Sequence, residues 1–63
     1  RYEEALNVLK TALEKDPNYA EAYRLMGIAQ LQMKKDKEAC ASFAKAKELG
    51  DPNVDALIEK HCK

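Results

Sequence analysis

Residues 4–12 read EALNVLKTA, and residues 38–46 read EACASFAKA. One glutamate and two alanines recur at matched positions, Leu9 is matched by Phe43, and each matched pair lies 34 residues apart. A fixed period of this length indicates stacked copies of one supersecondary unit. In such arrays each unit buries apolar side chains against its neighbours and leaves a surface for other molecules.

Size and charge limit the functions that the chain can have. Its 63 residues are near the lower size limit for folding without disulfides or metal ions. The 11 basic and 11 acidic residues cancel, whereas a nucleic-acid or anionic-membrane surface needs a basic excess. No apolar run approaches the roughly 20 residues of a membrane span. We therefore expect neither nucleic acid nor membrane as a partner. The start at Arg1 favours a piece of a longer protein.

The pattern of apolar residues and helix breakers predicts four helices. Helix-forming residues dominate between the few prolines and glycines, and apolar residues recur at spacings of three and four. Asp16-Pro17 and Asp51-Pro52 suit helix starts, since aspartate can cap the first amides and proline fits the first turn. Gly50 suits a left-handed helix end. The expected spans are about 2–15, 17–33, 37–49 and a last helix after Pro52.

Each of the first three helices carries an apolar stripe that predicts the core. We expect close approach of the second and third helices at Gly27, helped by the small Ala39, with Phe43 as the main core side chain. The free thiols of Cys40 and Cys62 are expected to pack as small apolar groups. The stripes are Ala5, Leu9, Ala12 and Leu13 with Leu6 beside them; Ala22, Met26, Ala29 and Met33 with Tyr23 and Gly27 beside them; and Ala39, Phe43 and Ala46.

These residues resemble the tetratricopeptide repeat family, whose unit is a pair of antiparallel helices. The resemblance implies an all-α fold, a short right-handed α-solenoid of four helices. It divides the chain into the second helix of a partial repeat (1–16), a complete repeat (17–50) and a following or capping helix (51–63). The residues that match the family pattern are Tyr2, Ala5, Leu9, Ala12, Pro17, Tyr23, Met26, Gly27, Ala39, Phe43, Ala46 and Pro52.

Some positions depart from the family pattern. Gln30 replaces a tyrosine, Lys34 stands where the turn often has glycine, and Pro52 comes one residue late. The Sel1-like repeats are a related alternative. Their units are longer and richer in glycine, so the 34-residue period favours the tetratricopeptide family.

The resemblance implies a protein-interaction module that presents a concave helical surface to a peptide or partner protein. By resemblance, the partner-binding residues are Glu21, Arg24, Ile28 and Gln32, although an ordinary solvated helix face explains them equally well. The alternative function is a structural spacer that self-associates through the open N-terminal helix. Marginal stability is expected in either case, because each repeat depends on its neighbours.

Cys40, His61 and Cys62 are the candidates for chemistry. Adjacent residues on a helix point about 100° apart, so His61 and Cys62 do not easily face one centre. Zinc prefers four ligands in spaced pairs, and only three candidates exist. We therefore expect no enzyme activity, no metal and no cofactor. Free thiols would favour a reducing compartment such as the cytoplasm.

Overall fold

A computed structural model describes residues 1–62, which form four α-helices joined by short turns. Each helix packs against the next one along the chain, and α2 and α3 share the largest interface. This confirms the expected all-α fold of antiparallel helix-turn-helix repeats. None of the helices in residues 1–62 combines the length and apolar character needed to cross a bilayer. The helices are α1 (Tyr2–Lys15), α2 (Ala20–Gln32), α3 (Asp36–Glu48) and α4 (Val54–His61).

The segment around Pro17 forms a turn instead of the start of α2. The Asn18 amide donates a hydrogen bond to Asp16 Oδ1 over 3.2 Å, and the Tyr19 amide donates to the Asp16 carbonyl oxygen over 3.1 Å. Because these bonds close a turn at Pro17, α2 begins only at Ala20, and the expected start at Pro17 is wrong. Asp51 forms the same kind of turn before α4.

The end of α3 has the left-handed geometry expected at Gly50. Gly50 has a φ of +98°, and its amide donates to the Lys47 carbonyl oxygen over 2.9 Å. The Asp51 amide donates to the Ala46 carbonyl oxygen over 3.0 Å. This pair of bonds defines a Schellman motif, which satisfies carbonyl groups that the helix leaves open.

The end of α2 repeats that motif with a lysine in the glycine position. Lys34 has a φ of +62°, and its amide donates to the Leu31 carbonyl oxygen over 2.9 Å. The Lys35 amide donates to the Gln30 carbonyl oxygen over 2.8 Å. A side chain in this left-handed region carries a steric cost that glycine avoids. The departure from the family pattern at Lys34 is therefore also a point of backbone strain.

The main core contact joins Gly27 of α2 to Phe43 of α3. Phe43 is fully buried. A Cβ at position 27 would lie 2.6 Å from Cδ1 and 2.9 Å from Cζ of the ring, and closer still to Cε1. All three nearest atoms belong to Phe43, so the ring occupies the space that a side chain at position 27 would need. The absence of a side chain at Gly27 makes room for the ring.

The packing of α1 differs from the expected stripe. Leu6, placed beside the stripe, is the buried residue of α1 and packs with Met26 and Ala29. Ala5 is exposed, and Leu9, Ala12 and Leu13 are half-buried. The difference arises because α1 packs mainly on α2, so the side of α1 that faces α2 is the covered one.

Cys40 and Cys62 form a disulfide, so the expectation of free thiols is wrong. α4 packs back along α3 and brings the two Cα atoms to 5.7 Å, although the cysteines are 22 positions apart. The argument for a reducing compartment loses its basis. Closing a loop of this length stabilises the folded state by about 3 kcal/mol, which matters in a domain of 63 residues.

The first prediction concerns Gly27→Ala. Helix propensity alone would raise the free energy of unfolding by about 1 kcal/mol. We expect a decrease of about 2 kcal/mol instead, because the added methyl overlaps the buried Phe43 ring. Urea unfolding followed by circular dichroism measures the change. Ala44→Gly, at an exposed position of α3, calibrates the propensity term, and a stabilised Gly27→Ala protein would contradict the packing account.

The second prediction concerns the two left-handed helix ends. Lys34→Gly should raise the free energy of unfolding by about 0.5–1 kcal/mol, because glycine relieves the steric cost at positive φ. Gly50→Ala should lower it by about 1 kcal/mol for the same reason. The same urea titration measures both. If Lys34→Gly and Gly50→Ala changed the free energy of unfolding in the same direction, the two helix ends would not share the left-handed motif.

Candidate functional site

The four predicted partner-binding residues all belong to α2 but lie in three different environments. Glu21 and Arg24 lie beside the turn that joins α3 to α4. Ile28 is half-buried and lines a groove between α1 and α2. Gln32 is exposed near the end of α2. The four residues therefore share a helix but do not form one pocket.

Arg24 serves as an internal contact. Its Nε lies 2.8 Å from Asp51 Oδ2, and its Nη2 lies 3.4 Å from Glu21 Oε2. The Asp51 side chain is only 5% exposed. The Nε and Oδ2 atoms are close enough to form an ion pair, but their orientation does not meet the geometry of a hydrogen bond. Neither atom has a hydrogen-bond partner among the described residues. Arg24 thus ties the α3–α4 turn to α2, a role that no local sequence signal predicts.

An apolar concave surface lies between α1 and α2, and we call it the α1–α2 groove. It holds about 470 Å³ and is lined almost wholly by carbon. Val8 is 68% exposed, Tyr2 48% and Leu25 41%, and all three line this one groove. The lining residues are Tyr2, Ala5, Val8, Leu9, Leu25, Ile28 and Ala29.

Three of the four α1 residues that line this groove correspond, 34 residues later, to buried residues of α3, and the fourth, Tyr2, corresponds to the exposed Asp36. On α3, Ala39 and Phe43 are fully buried and Ser42 is 8% exposed, with α2 packed against the helix. On α1 the same positions are exposed or half-buried. The matched positions are Ala5 and Ala39, Val8 and Ser42, and Leu9 and Phe43.

A buried polar pair also joins α2 and α3. Ser42 Oγ donates a hydrogen bond to Gln30 Oε1 over 2.7 Å, and both residues are buried. The unusual Gln30 is therefore satisfied inside the fold, as a buried polar group must be. Neither side chain is available to a ligand, and Ser42 carries no sequence signal for this role.

The candidates for chemistry are placed at the surface of α3 and α4. Cys40 and Cys62 are consumed in the disulfide, and the adjacent His61 is exposed. Within residues 1–62, no three histidine, cysteine, aspartate or glutamate side chains are grouped to hold a metal ion. The candidate binding surfaces that remain are the α1–α2 groove and the exposed side of α2.

Comparison with known proteins supports the repeat interpretation. No curated protein and no solved structure matches the chain significantly. A family model described as TPR repeat matches residues 1–34, which is more than half of the chain. The match covers α1, α2 and the turn that follows. Together with the four packed helices, this match confirms the sequence interpretation: the chain belongs to the TPR repeat family.

Proposed function

We propose that the chain is a protein-interaction module that binds an amphipathic α-helix of another protein in the α1–α2 groove. TPR repeats generally mediate contacts between proteins. The choice of the α1–α2 groove rests on the correspondence between the open face of α1 and the buried face of α3. The proposal assigns no chemical reaction to the chain.

The covered face of α3 indicates what kind of partner the groove fits. On α3 the matched positions pack against a helix, α2, which places Gly27 against the Phe43 ring. Leu9 occupies the position of Phe43 on α1. A partner helix that runs antiparallel to α1 and presents a glycine or alanine to Leu9 would reproduce this packing. Helix-in-groove recognition of this kind depends on apolar anchors at helical spacing.

The exposed side of α2 extends the proposed surface. Ile28 lies in the α1–α2 groove and would contact an apolar anchor of the partner, while Glu21 and Gln32 would meet its polar edge. Arg24 would contribute mainly by holding the α3–α4 turn, since its charge is already paired. The division of the chain into units 1–16, 17–50 and 51–63 remains part of this proposal.

Charges at the two ends of α1 complement an antiparallel partner helix. The first turn of α1 carries Glu3 and Glu4, and its last turn carries Lys15. A helix that runs antiparallel to α1 places its own C-terminal end beside the two glutamates. Basic residues are favourable at helix C-termini, so a partner with lysine or arginine in its last turn fits best.

The alternative function is a spacer that uses the same groove for self-association. A second copy could bury Val8 and Leu9 without any other protein being bound. The proposed function requires a different protein in the α1–α2 groove, whereas the spacer requires a second copy of this chain there.

The third prediction tests the α1–α2 groove with Val8→Glu. Affinity capture from a cell lysate, read by mass spectrometry, should show proteins that the wild type retains and Val8→Glu loses. Once such a partner helix is identified, its Kd should rise at least about tenfold in the variant, because a buried carboxylate costs more than 1.4 kcal/mol. Val8 is mostly exposed, so the fold should tolerate the change.

Ala44→Glu is the matched control for this capture. Ala44 is an exposed alanine on α3, outside the groove. Proteins lost from both variants would reflect the added charge alone. Retention of the same proteins by the wild type and Val8→Glu would overturn the groove assignment. Capture of only the chain itself would favour the spacer.

The fourth prediction concerns the contribution of Arg24 to the stability of the fold. Arg24→Ala should lower the free energy of unfolding by about 1–3 kcal/mol, because it leaves the buried Asp51 carboxylate unpaired. Gln32→Ala, at an exposed position of the same helix, should change it by less than about 0.5 kcal/mol. Urea unfolding measures both variants. Equal stability of the two proteins would show that the Arg24–Asp51 pair contributes nothing measurable.

A further inference from the structure

We propose that the Cys40–Cys62 disulfide is a thiol-sensitive latch that holds the terminal helix α4 on α3. The disulfide joins α3 to the residue that follows α4. While the bond is intact, α4 covers one side of α3. Breaking the bond would release the C-terminal end of α4 from α3.

α4 is attached near each of its ends. Val54, its first residue, is fully buried against the cluster that contains Phe43. The disulfide fixes the other end at Cys62, and Leu57 and Ile58 between them are half-buried. The outward side of α4 is made of exposed residues, so the helix has one apolar side only. The exposed residues are Asp55, Ala56, Glu59, Lys60 and His61.

α4 is too short to persist without these attachments. It has 8 residues, and isolated helices shorter than about 12–15 residues are marginal in water. Outside the apolar side, an exposed ion pair joins Lys47 Nζ to Asp55 Oδ1 over 3.4 Å. Exposed pairs of this kind contribute little. The helical state of α4 therefore depends on its contacts with the rest of the fold, and the disulfide is the contact that a reductant can remove.

The disulfide can be reached from solvent. It lies in an open surface cleft of about 380 Å³, lined by Asp36, Lys37, Cys40, His61 and Cys62. Both cysteines are half-buried, and Cys40 Sγ lies 3.6 Å from the carbonyl oxygen of His61. A thiolate can approach a sulfur in such a cleft, whereas a disulfide inside the core would be shielded.

The opening step is thiol–disulfide exchange with a dithiol reductant. One thiolate of the reductant attacks a sulfur of the Cys40–Cys62 bond, forming a mixed disulfide and releasing the other cysteine as a thiolate. The second thiolate of the reductant then attacks the mixed disulfide. The protein ends with two cysteine thiols after proton uptake, and the reductant ends as a cyclic disulfide. Two electrons pass from the reductant to the protein.

The fifth prediction follows the helical state of each element by NMR before and after reduction. The full chain carrying Lys34→Gly, chosen for added stability, is studied air-oxidised and then with excess dithiothreitol. Secondary chemical shifts of α4 should lose about half or more of their helical value after reduction, as expected for a short helix with one attachment removed. The shifts of α2 and α3 should remain helical. Thiol titration verifies the redox state in each sample.

A Cys40→Ser/Cys62→Ser variant in the same background is the matched control. It should resemble the reduced protein in both conditions and should not respond to dithiothreitol. Helical α4 shifts in the fully reduced protein would overturn the latch. Joint loss of helix in α2, α3 and α4 would also overturn it, because the disulfide would then stabilise the whole fold. Two titratable thiols in the air-oxidised protein would show that the bond does not form.

Discussion

The packing of the Phe43 ring against the bare backbone of Gly27 is the contact on which the rest of the structure depends. It sets the distance between α2 and α3, the pair of helices with the largest interface. That distance places Gln30 and Ser42 within hydrogen-bond reach in the interior. The helices on either side, α1 and α4, then pack on faces of a pair whose geometry is already fixed.

The first and last helices of the structure, α1 and α4, present different surfaces. α1 leaves an apolar groove open to solvent, with Val8 as its most exposed large apolar residue. α4 covers α3, turns a polar side outward and is tied down at Cys62. We propose that the first of these surfaces binds a partner helix and that the disulfide controls how α4 covers the second.

The sequence predicted the features that depend on local chemistry and period. The four helices, the left-handed end at Gly50 and the burial of Phe43 follow from helix formers, breakers and the 34-residue echo. Contacts between distant residues could not be predicted in this way. The Arg24–Asp51 pair depends on how the end of α3 packs beside α2, and the Cys40–Cys62 bond depends on how α4 returns along α3; no local spacing records either arrangement.

The most direct test of the central contact is a double-mutant cycle between Gly27→Ala and Phe43→Leu, measured by urea unfolding. If the ring occupies the space that a methyl at position 27 would need, the smaller leucine should relieve the clash. The double variant should then be more stable than the sum of the two single losses by at least about 1 kcal/mol. Additivity to within about 0.5 kcal/mol would show that the two sites are independent and would contradict the account.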